Sequence, residues 1–95
     1  MNVLLLIYEL NRELDPNFDY SAFFKIRDSY SPMKISEYTY ALRTAAETPS
    51  QVRHKLQKSL HADDNLYVIT LKKPYSSRGL KKIVSWMDEA FREHI

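Results

Sequence analysis

Residues 3–10 read Val-Leu-Leu-Leu-Ile-Tyr-Glu-Leu, an apolar run broken only by Glu9, and few structures can accept it. Periodicity alone does not separate a short buried helix from a strand covered on both faces. The brevity of the run, its Val, Ile and Tyr, and the polar stretch 11–17 with Pro16 predict a central strand. The run is far short of the ~20 apolar residues of a membrane helix. No basic stretch precedes it and Glu9 and Glu13 follow, which is unlike a secretory leader, so a cytoplasmic chain is expected.

The 95 residues, 44% apolar and 27% charged, are expected to form a single domain over 1–95 rather than a disordered or fibrous chain. With no cysteine, disulfides, thiolate metal sites and cysteine nucleophiles are excluded. With Gly79 the only glycine, a glycine-rich phosphate cradle is excluded as well.

The remaining pattern alternates between helix and strand. From Asp19, a candidate N-cap, Phe23, Ile26 and Tyr30 recur at helical spacing until Ser31-Pro32 ends the segment. Residues 33–43 suit an extended chain, but their alternation changes phase near Ser36-Glu37, which calls for either a bulge or a turn between two short strands. Thr48-Pro49-Ser50-Gln51 has the makings of a capping box, and Val52, Leu56 and Leu60 follow as one stripe. Asp63-Asp64-Asn65 reads as a turn before a strand at 66–71, and 74–77 as a connection or short edge strand. After Gly79, residues Leu80, Ile83, Val84, Met87 and Phe91 give a last helix a broad apolar face. This order predicts an α+β fold, the ferredoxin-like βαββαβ sandwich with an additional C-terminal helix.

Candidate chemistry starts at Glu9. A carboxylate at the end of a buried strand needs solvent, a partner or a cation, and an oxygen ligand suits Mg2+ or Mn2+. One carboxylate per chain is few, but a two-fold dimer would bring two together. Asp63 and Asp64 are neighbours that point apart in an extended chain, which fits a turn better than a shared ion. His54, His61 and His94 lack the spacing of a metal site. The net charge of +2 is too small to imply nucleic acid, but its distribution is uneven. Residues 48–82 carry Arg53, Lys55, Lys58, Lys72, Lys73, Arg78, Lys81 and Lys82 against Asp63 and Asp64, which leaves that segment at +6 and the rest at −4. With Tyr67 and Tyr75 nearby, these side chains suit a phosphate backbone, and equally a solvated face. Most of the seven tyrosines and Trp86 are expected in a core or an interface.

Three segments, Leu6-Ile7-Tyr8-Glu9-Leu10-Asn11, Lys34-Ile35-Ser36-Glu37-Tyr38-Thr39-Tyr40-Ala41-Leu42 and Asp64-Asn65-Leu66-Tyr67-Val68-Ile69-Thr70-Leu71, together resemble the SinR-like family. That family is related to the CRISPR-associated adaptation endonuclease subunits and to VapD-type toxins, which are ribonucleases. The resemblance spans most of residues 3–71 and rests on no catalytic signature. It implies a ferredoxin-like fold that dimerises through its sheets and, in those relatives, metal-dependent nuclease chemistry or duplex binding. The relatives carry an aspartate after the aromatic that ends the first strand. Here Glu9 follows Tyr8, one methylene longer, so an ion held between subunits would need a different geometry.

Two functions follow as expectations. One is a homodimeric nucleic-acid-associated protein: a divalent-metal-dependent endoribonuclease with Glu9 as catalytic and metal-binding residue, or a duplex-binding scaffold. In both, the basic side chains of residues 53–82 grip RNA or DNA. The other is a protein-interaction module of the same fold without catalysis.

Overall fold

In the computed structural model, residues 2–13, 15–73, 76 and 78–92 are described. The chain runs β1 (Asn2–Glu9), α1 (Ser21–Ser29), β2 (Met33–Ser36), β3 (Thr39–Thr44), α2 (Pro49–Gln57), β4 (Asn65–Leu71) and α3 (Lys81–Arg92). Among the described residues it is an α+β fold with three helices and one four-stranded sheet in the order β2-β3-β1-β4, every neighbouring pair antiparallel. The opening apolar run is central as expected, hydrogen-bonded to β3 on one side and β4 on the other.

Because a strand alternates its side chains, β1 supplies two different cores. Leu4, Leu6 and Tyr8 share a face with Tyr40 and Leu42, and against them pack Phe23 of α1 and Val52 and Leu56 of α2. Leu4, Leu6, Phe23, Leu42, Val52 and Leu56 are fully buried. Each is worth about 1.5–3 kcal/mol of apolar burial. Val3, Leu5 and Ile7 point the other way. There α3 brings Ala90 and Phe91 onto Val3 with Leu71, Trp86 and Met87 around them, and the Arg43 guanidinium lies 5.8 Å over the Trp86 ring. Thus α1 and α2 cover one face of the sheet, and α3, the additional C-terminal helix, covers part of the other.

Local signals are mostly realised. Thr48 and Gln51 form the reciprocal capping box at the start of α2, with Pro49 at the first helical position. The ambiguity in residues 33–43 resolves into both alternatives: two strands separated by Glu37-Tyr38, and a register shift between Lys34 and Ser36. At α1 the expectation shifts by one residue. Tyr20 is the N-cap and makes no side-chain cap bond. Asp19 instead accepts from the Ser21 amide at 2.8 Å, and these hydrogen bonds from Ser21 hold its carboxyl below the usual value. Ser31, before Pro32, takes a left-handed φ of 49° just after α1. Residues 74, 75 and 77, in the expected connection 74–77, lie outside the described residues, as does His94.

Candidate nucleic-acid interface

Glu9 ends β1 and is exposed. Its register partner on β4 is Asn65, and it shares a sheet face with Ile7 and Tyr67, away from α1 and α2. Tyr8, one residue earlier, points to the opposite face and is structural. Its hydroxyl accepts from Arg27 Nη1 at 2.8 Å, and its ring packs edge-on against Phe23. The Arg27 guanidinium lies 4.8 Å over Phe24 and 4.5 Å over Tyr40. Burial, opposed by Arg27, pushes the Tyr8 hydroxyl up to about 12. Among the described residues no three His, Asp or Glu side chains converge as metal ligands.

The eight basic residues fall into separate groups. Arg53 and Lys58, exposed on and just after α2, line an open groove with Gln57, His61, Asn65 and Tyr67, formed where the end of α2 passes the start of β4. Arg53 Nη1 donates to Gln57 Oε1 at 2.8 Å, one helical turn on, which steadies the guanidinium at the groove. Tyr67 borders the groove with its side chain on the opposite sheet face, beside Ile7, and is 55% exposed. Lys55 is engaged elsewhere: its ammonium lies 2.9 Å from Glu47 Oε2 and donates to the Tyr30 hydroxyl at 3.2 Å, contacts that raise its pKa. Lys72 and Lys73 follow β4 directly and are exposed at its other end. Lys81 and Lys82 open α3, which packs on the opposite sheet face from α2, and Arg78 is exposed in the segment before it. Thus Arg53, Lys58, Lys72 and Lys73 flank one strand, while Lys55, Arg78, Lys81 and Lys82 stand apart from that group. Tyr75 lies outside the described residues.

Asp64 ties this end of the molecule together. It accepts from the Asn11 amide at 2.7 Å, the Tyr20 hydroxyl at 2.9 Å and the His61 amide at 2.8 Å. The loop after β1, the start of α1 and the loop before β4 therefore meet at one carboxylate. Tyr20 is pushed up to about 12, chiefly by burial and next by this acceptor. Asp63 is exposed, its Oδ2 3.4 Å from His61 Nδ1. His61 also stands edge-on to Phe18, an ordinary structural setting for an imidazole. Sequence reading passed over Gln57 and Asn65. The four-residue spacing of Arg53 and Gln57 on a helix was the available signal for the first. Nothing local marked the second.

Compared with known proteins, the chain matches no family model, no curated protein and no solved structure. No helix among the described residues is long and apolar enough to cross a membrane.

Proposed function

We propose that this chain is a small homodimeric nucleic-acid-binding protein of ferredoxin-like architecture, acting as a duplex-binding scaffold. The strand order β2-β3-β1-β4 with helices between β1 and β2 and between β3 and β4 supports the architecture. The observation that carries the function is the placing of Arg53 and Lys58 at one end of β4 and Lys72 and Lys73 at the other, all exposed. A seven-residue strand spans roughly 24 Å, the length of about seven base pairs. Cations spread over that distance suit the regular charge of a phosphate backbone. The SinR-like resemblance points the same way.

Cleavage is the second reading. It rests on the exposure of Glu9 on the sheet face not covered by α1 and α2, where a partner subunit could approach it. An ion held by two glutamates would activate water at a phosphodiester. The test is fluorescence anisotropy with a short RNA or DNA duplex. The Arg53→Ala/Lys58→Ala variant is expected to bind at least ten-fold more weakly at moderate salt. Equal binding by that variant refutes the proposed surface. In parallel, labelled RNA with Mg2+ or Mn2+ should remain intact; cleavage that disappears in Glu9→Gln would replace the scaffold by the nuclease.

A further inference from the structure

The two edges of the sheet are built differently. β2 is four residues long, carries Lys34 and breaks register between Lys34 and Ser36. A short strand, a lysine and a bulge all discourage another strand from adding to an edge. β4 has none of these. It runs seven residues, pairs with β1 from Asn65 to Leu71 without a shift, and contains no charged residue and no proline. Its Tyr, Val, Ile and Thr favour a pleated surface. Among the described residues no strand pairs with its outer side, where alternate residues turn their N–H and C=O outward. Such an edge attracts another strand.

The charges bracketing it say which strand. Asp63 and Asp64 come just before β4, Lys72 and Lys73 just after, and both pairs are equally far from Val68. Laid antiparallel on a copy of itself with Val68 opposite Val68, the segment brings the exposed Asp63 of each copy toward Lys73 of the other, while Asp64 stays bound within its own chain to Asn11, Tyr20 and His61. Tyr67 then faces Ile69, a favourable aromatic and β-branched pair. Moving the centre to Tyr67 or Ile69 takes Asp63 away from Lys73 at both ends. The segment is thus complementary to itself in one register, as a two-fold interface requires.

We infer that two copies of this chain join β4 to β4 about a two-fold axis at Val68, making one continuous eight-stranded sheet. The inference rests on the homodimer in the proposed function and names its interface. Because α2 packs beside β4, both α2 helices flank the joint and the Arg53 and Lys58 side chains of both copies lie on one side. Strand spacing of ~4.8 Å and a rise of ~3.4 Å per residue put the two Glu9 positions roughly 25 Å apart, too far to share an ion.

The experiment is sedimentation equilibrium on the full chain, with circular dichroism to confirm folding. Wild type is expected to dimerise. Lys73→Asp and Asp63→Lys, each placing like charges at both ends of the joint, should each weaken the dimer on the order of ten-fold. The combined Lys73→Asp/Asp63→Lys variant, with unchanged net charge, should restore it. A monomeric wild type, a dimer indifferent to the single changes, or a double variant that fails to recover overturns the inference. Duplex binding measured alongside separates the two claims. A charge-swappable dimer that binds no duplex refutes the proposed function and leaves the interface standing, while a duplex-binding monomer does the reverse.

Discussion

Replacing Asp64 by alanine should be among the most destabilising exposed-to-half-buried changes in this protein. Its carboxylate accepts three hydrogen bonds from three separated segments. The Asn11 amide is exposed and water can replace the lost acceptor. The other two donors are worse placed: the His61 amide is part-buried and the Tyr20 hydroxyl sits on a ring only 6% exposed. Hydrogen bonds to a charged group are worth about 1.5–3 kcal/mol each, so losing these two costs about 3 kcal/mol or slightly more. Total stability for a domain of this size is about 5–14 kcal/mol, so the variant should still fold. Urea denaturation should register the loss, and thermal unfolding should drop by roughly 12–24 °C. Asp64→Asn keeps a carbonyl acceptor and should lose about half as much. In a double-mutant cycle with Tyr20→Phe, the combined loss should be smaller than the sum of the single losses. A loss under about 1 kcal/mol in Asp64→Ala, or full additivity with Tyr20→Phe, would show that this carboxylate does not hold the three segments together.

Other consequences are open to simple assays. Thr48→Ala removes the side-chain acceptor of the capping box and should cost about 1 kcal/mol in urea unfolding, with Thr48→Ser close to wild type. Phe91→Ala should cost about 3 kcal/mol if α3 truly seals the Val3 side of the sheet, and a change near zero would place α3 elsewhere. Tyr8 and Tyr20 have folded pKa values raised to about 12 from 10, so the stability they contribute is complete below pH 10 and is lost as pH climbs toward 12. Circular dichroism and tyrosinate absorbance should therefore show base unfolding in that window, later and steeper than free tyrosine ionisation. Tyrosines that ionise near 10 with the fold intact would contradict the burial argument.

The parts of the structure legible in the sequence are those set by neighbouring residues. The central strand was announced by a brief apolar run containing Val, Ile and Tyr, followed by the polar stretch 11–17 with Pro16. The α2 start was announced by Thr48, Pro49 and Gln51, whose partners lie three residues apart. What depended on distant partners was not legible. Asp64 looked like a turn residue because Tyr20 lies 44 positions away and Asn11 lies 53 away. The side of the sheet taken by α3 was equally hidden. Val3 and Leu4 are both buried, and nothing in an unbroken apolar run says which helix each meets. For the basic side chains, the net charge of +2 was not informative, but the concentration of positive charge in residues 48–82 was readable from the sequence. The division of those residues was not, since Lys55 is drawn to Glu47 and Tyr30 while Arg53, two positions earlier, faces the groove beside β4.

The claim that cations bracketing β4 grip a nucleic-acid backbone is met most directly by the salt dependence of duplex binding. With Arg53, Lys58 and Lys72 of two subunits on the phosphates and Lys73 paired with Asp63 at the joint, log K should fall against log salt with a slope of roughly −5 to −6. Lys58→Ala, which removes two of those contacts from the dimer, should flatten the slope by nearly 2. Binding that ignores salt, or a slope that Lys58→Ala leaves unchanged, would mean that this surface does not carry the contact.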